Sequence, residues 1–108
     1  LERHKRQDGS LTLDGVFAHT DFHGYHFMKM LTENGYRVPE DVQLIGFDGI
    51  ERFGTPVDYV ISTMCQPVRQ LAKKCVEIIL LEDRSNVPSL TLLPVTYCYG
   101  GTTREPGR

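Results

Sequence analysis

Apolar residues fall along this chain in two alternating rhythms, short continuous runs and runs spaced three and four apart. Residues 15–19, Gly-Val-Phe-Ala-His, form the first continuous run and read as a buried strand. Thr20 and Asp21 follow, and either can cap a helix start. That helix is expected to run to about Asn34, with Gly35 supplying a left-handed stop. Residues 42–47 are the second run, set off by Pro39, which fixes its own φ and disfavours helix before it. The run suits a strand covered on both faces, and it ends abruptly in Asp48 and Gly49. A polar, Gly- and Pro-containing loop at 51–58 precedes the β-formers of 59–63, another short strand. Pro67, behind Gln66, opens the clearest amphipathic helix: Val68, Leu71, Ala72, Cys75, Val76 and Ile79 recur at helical spacing, with Arg69, Lys73, Lys74 and Glu77 largely on the wet side. Residues 85–89 read as a loop, 90–99 as a strand of partial alternation, and Gly100-Gly101 as the start of a polar tail. At the other end, the charged residues 1–6 read as the tail of a helix, loosely held, with a loop at 7–10.

The order strand, helix, strand, strand, helix, strand predicts an α/β fold with a mainly parallel sheet, because parallel neighbours need crossovers of the kind the first helix provides. In open sheets of this class ligands bind beyond the carboxyl ends of the strands. Asp48 sits at such an end and is a candidate acceptor for ligand hydroxyls or amines. An Asp before a Gly also makes a good turn, and Thr20 also makes a plain helix cap, so each position has a structural reading beside the functional one. On the first helix, Tyr25, Met28 and Leu31 form one apolar row, while Phe27 and Met30 lie off it. A single core does not need both sets, so one face is expected to meet a partner.

Composition and charge exclude more than they select. The chain is 40% hydrophobic and 24% charged, as folded soluble domains are, and its net charge of -2 leaves no basic footprint for nucleic acid. Any contact with DNA must come from outside this segment. No apolar stretch reaches membrane-spanning length, and the start has neither the apolar core of a signal peptide nor a Met, so it reads as internal or trimmed. Cys65, Cys75 and Cys98 are odd in number and lack metal-type spacing, which favours reduced thiols in a cytoplasmic protein. His19, His23 and His26 are better read as surface histidines than as ligands, and Cys65 and Cys75 as small hydrophobes. The Gly46-Phe47-Asp48-Gly49 segment matches no phosphate-cradling pattern. No catalytic residue, metal site or cofactor is assigned.

Four motifs in order resemble the lactose/galactose-repressor family of bacterial transcription regulators: Thr20-Asp21, VPEDVQLIGFD at 38–48, QPVRQLAKKCVEIIL at 66–80, and LLPVTY with GGTT at 92–103. The resemblance covers nearly the whole chain from Asp14. It implies the last part of an effector-binding and dimerisation region, a partial flavodoxin-like lobe of the periplasmic-binding-protein type. Residues 14–64 would belong mainly to the second lobe, and 65–103 would return to the first. It implies a small-molecule effector, a sugar foremost with a purine as the other class, bound by Asp48 and Thr20. Thr20 stands where relatives often have Asn, and Val68 where some place an aromatic against the effector. It further implies a homodimer, built in part by Tyr25, Phe27, Met28, Met30 and Leu31 and by the loop after the Asp48 strand. Operator DNA would be held by an amino-terminal helix-turn-helix outside this chain. The alternative is the sugar-binding protein of a transporter, which shares the two-lobed architecture.

Overall fold

The computed structural model describes residues 1–50 and 61–105. A parallel core of strands forms as the alternation requires: β1 (Gly15–Phe17), α1 (Asp21–Glu33), β2 (Gln43–Asp48), β3 (Ser62–Cys65), α2 (Val68–Ile79) and β4 (Thr96–Cys98), after one 3-10 turn at Glu2–His4. The sheet order is β1-β2-β3-β4. β1, β2 and β3 run parallel, and β4 is antiparallel to β3. The α/β class and the mostly parallel sheet are therefore as the sequence predicts.

Three expectations are corrected. The strand foreseen at 90–99 shrinks to Thr96–Cys98, because its neighbour β3 offers register partners only at Thr63, Met64 and Cys65 and Pro94 has no N–H to extend the ladder. Pro67 is the cap of α2 and not its first residue, so the helix begins at Val68. Residues 1–6 are anchored, not loose: Leu1 packs on the core, and Arg6 bonds the Ser10 hydroxyl and the Leu11 carbonyl. The expected loop at 51–58 and the start of the strand foreseen at 59–63 lie outside the described residues.

The core lies between α1 and the sheet. Leu11, Leu31 and Val42 form one buried cluster and Ala18, Leu44 and Ile61 a second, with Val16, Phe27 and Val38 packed against both. Each Val, Leu or Ile side chain among them contributes roughly 1.5–3 kcal/mol when fully buried. Gly24 lets the helix approach: a Cβ there would stand 2.7 Å from Ile61 Cδ1. The end of the chain returns to the same sheet. Thr102 Oγ1 donates to the Leu44 carbonyl (2.7 Å) and accepts from Ser62 N–H (2.8 Å), while Leu44 N–H donates to the Thr102 carbonyl (2.9 Å). Thr102 thus fills the gap between the starts of β2 and β3 with matched hydrogen bonds, which is why a threonine can be buried there.

α2 stands apart from this core. None of its residues is buried, and Ile79 is 65% exposed and Leu80, its cap, 75%. The radius of gyration is 18.6 Å, against about 13 Å for a compact domain of this length.

Candidate functional site

The carboxyl ends of β2 and β3 and the start of α1 converge on one turn. Asp48, the last residue of β2, has φ 111°, and Gly49 follows with φ 78°. A non-glycine residue in this region is strained and persists only where its surroundings hold it. What holds it is Asp21, whose side chain is fully buried. Asp21 Oδ2 accepts the N–H groups of Gly49 (2.7 Å) and Ile50 (2.8 Å), and Oδ1 accepts the Thr63 hydroxyl (2.5 Å). Gly46 makes the space. A Cβ there would collide with the Asp21 carboxylate and stand 2.8 Å from Ile61 Cδ1.

Asp48 itself is half-buried and tied to the entry of α2. Gln66 Nε2 donates to Asp48 Oδ1 at 2.6 Å, and Gln66 N–H to the Asp48 carbonyl at 3.2 Å. Among the described residues, Oδ2 of Asp48 has no hydrogen-bond partner. A cavity of about 310 Å³ opens beside it, lined by Asp48, Gly49, Cys65, Gln66, Val68 and Arg69 among others. The site therefore offers one committed and one uncommitted carboxylate oxygen, an amide and a guanidinium, over an apolar edge at Val68. This is a hydrogen-bonding surface suited to a small polyhydroxylated or amine-bearing ligand.

Thr20 lies one residue before the Asp21 clamp, at the same end of the sheet. Its hydroxyl is the N-cap of α1, accepting His23 N–H at 3.2 Å and meeting His23 Nδ1 at 2.8 Å. The five residues foreseen at a dimer face are placed differently from one another. Leu31 is corrected: it is fully buried in this chain's own core against Leu11 and Val42. Tyr25, Phe27 and Met28 are half-buried on the same core, and the Tyr25 hydroxyl accepts Ile61 N–H at 3.3 Å. Met30 is half-buried as well, whereas Phe22 is 61% exposed with its ring 4.6 Å from that of His26. The loop expected to complete that face, 51–58, lies outside the described residues. The His19 and His23 rings approach to 4.3 Å, yet among the described residues no group of three or more His, Cys, Asp or Glu could hold a metal ion.

Asp21, Thr63 and Gln66 are the site residues that sequence reasoning missed. Asp21 follows the cap and reads as part of it. Only Gly46, a missing side chain two residues before Asp48, hints that something must fit beneath that strand.

Residues 2–103 match the family model for the periplasmic binding protein-like domain. The chain belongs to that family. It is similar to the ribose operon repressor of Bacillus subtilis (strain 168), 31% identical over 94 residues that cover 85% of this chain and 28% of the repressor. It is also similar to the HTH-type transcriptional repressor PurR of Vibrio atlanticus (strain LGP32), 38% identical over 60% of this chain and 19% of that protein. Among solved structures, a LacI family transcriptional regulator from Enterococcus faecium with bound ribose superposes with a TM-score of 0.62 at 29% identity, covering 83% of this chain and 34% of the regulator. One from Arthrobacter sp. FB24, in complex with lactose, gives 0.69 at 29% identity over 84% and 35%. This periplasmic binding protein-like chain thus spans under a third of the length of the curated repressors it matches. Its likeness to the lactose/galactose-repressor family, read from four motifs, is carried by these relatives as well.

Proposed function

We propose that this chain is the effector-sensing and dimerisation segment of a bacterial transcriptional repressor that responds to a small molecule, a sugar foremost and a purine as the second class. The observation that carries the reading is Asp48: a carboxylate at a strand's carboxyl end, held in a strained backbone conformation, with one oxygen uncommitted among the described residues beside a cavity that Gln66 and Arg69 also line. A carboxylate accepts sugar hydroxyls through charge-assisted hydrogen bonds, which are stronger than neutral ones. Thr20 would add a hydroxyl contact from the neighbouring strand end. The segment is no enzyme in this reading, and it acts in the cytoplasm. It works as a homodimer, with operator DNA gripped by a helix-turn-helix outside these residues. The relatives named above are repressors, which favours the regulator over a transporter's binding protein. Among the described residues no helix is long and apolar enough to cross a membrane.

The test is calorimetry on the full-length protein with ribose and lactose. Asp48→Ala is expected to remain folded and to weaken binding more than about tenfold, since a hydrogen bond to a charged group is worth ~1.5–3 kcal/mol. Unchanged affinity in a well-folded variant would return Asp48 to the role of a turn residue.

A further inference from the structure

We propose that Asp21 is a positioning residue for the ligand site, acting through the backbone of 48–50 and never touching the ligand. The inference rests on the reading of Asp48 as the ligand's acceptor. A buried carboxylate is costly unless its lone pairs are filled, and here two backbone N–H groups and one hydroxyl fill them. Those two N–H groups belong to the residues just after Asp48, so the carboxylate acts where the chain leaves β2 in a disfavoured conformation. Thr63, on β3, is its third partner. Asp21 therefore joins α1, β2 and β3 at a single buried point. Helix capping at this terminus is already supplied by Thr20, so capping does not account for the buried acceptor oxygens of Asp21. The bonds instead run 28 and 29 residues forward, to the turn.

The partners also fix the direction of the argument. Asp21→Ala would leave the N–H groups of Gly49 and Ile50 without their acceptor, and Gly46→Ala would push the carboxylate aside with Asp21 itself unchanged. A residue that only stabilised the fold would, when replaced, lower the folded fraction and leave affinity within that fraction intact. A positioning residue changes affinity in protein that is still folded.

Amide hydrogen exchange and calorimetry with ribose and lactose, on the full-length protein, separate these. In Asp21→Ala, protection at the amides of Gly49 and Ile50 is expected to fall by about tenfold or more while Leu44 keeps its own, which is local opening. Affinity for whichever sugar the parent binds is expected to fall at least about fivefold in fully folded protein. Gly46→Ala should give the same pattern. Should Asp21→Ala fail to fold, Thr63→Val, which removes only the third bond to the carboxylate, is expected to stay folded and weaken affinity by roughly two- to fivefold. Unchanged exchange at 49 and 50, or unchanged affinity in the folded variants, overturns the proposal. If the parent binds neither sugar, the sugar reading of the function fails on its own, and the exchange pattern still decides whether Asp21 holds the turn.

Discussion

At Gly49 a positive φ and a close neighbour coincide, since a Cβ there would stand 2.7 Å from the Cys65 sulfur. Gly49→Ala should therefore destabilise by more than about 1 kcal/mol, against the gain that Gly→Ala brings at permissive sites, and urea denaturation measures it. Asp41 carries a different kind of constraint. Arg37 donates to it from its backbone N–H and twice from its guanidinium, and these bonds hold the Asp41 carboxyl down from 3.8 to about 2. A depressed carboxyl contributes stability that is present above its unfolded value and lost as pH falls through the folded one. Thermal melts of the parent should thus lose stability between pH 4 and about 2, and Asp41→Asn should flatten that part of the profile. At this scale the sequence was informative where one residue acts alone and silent where two distant ones act together. The place of Asp48 at a strand end was legible because an apolar run ended on it. Asp21 was not, because its partners lie on segments that only the folded sheet brings beside it.

Elements were legible in proportion to how much of their pattern is their own. α1 and α2 carry caps, stops and helical spacing in their own residues, and each is found within a residue or so of its expected bounds. β4 depends on a neighbour four residues long, so seven of the ten residues expected in it form no strand. The apolar row on α1 was readable as a row but not as a destination. Two of its members, Tyr25 and Met28, pack on this chain's core, the third, Leu31, is sealed within it, and the exposed ring is Phe22. The opposite holds for α2, whose amphipathic face is clear in sequence and meets no core among the described residues. Replacing Val76 and Ile79 together by Lys should leave the fold of 11–50 intact while making the isolated segment more soluble. Circular dichroism and sedimentation check the two halves of that statement.

For the whole molecule, the accessible surface of 7982 Å² exceeds the about 6,100 Å² typical of a 12.3 kDa monomer. The excess of about 1,900 Å² is more than the roughly 800 Å² that each partner gives to a standard interface. The isolated 108-residue chain should accordingly pair with a second copy, through α2 and the apolar residues around 90–97, and light scattering at micromolar concentration would show a dimer or larger. A stable monomer with cooperative unfolding would contradict this. In the full-length protein, linkage adds a constraint: if effector alters operator affinity, operator must alter effector affinity by the same factor. Titrations in both directions test it, and the absence of an effect in either direction would remove the effector from that role.

Thr102 also sets an order in time. The later of the two strands that end in Asp48 and Cys65 leaves the ribosome 37 residues before Thr102 does, an interval of roughly 2–7 s at the ~5–20 residues per second of synthesis. For that interval Leu44 and Ser62 lack the groups that later satisfy them, and the mouth between β2 and β3 stays unsealed. The nascent chain can therefore collapse around α1 early, but it cannot finish the sheet that carries the site until its closing residues arrive.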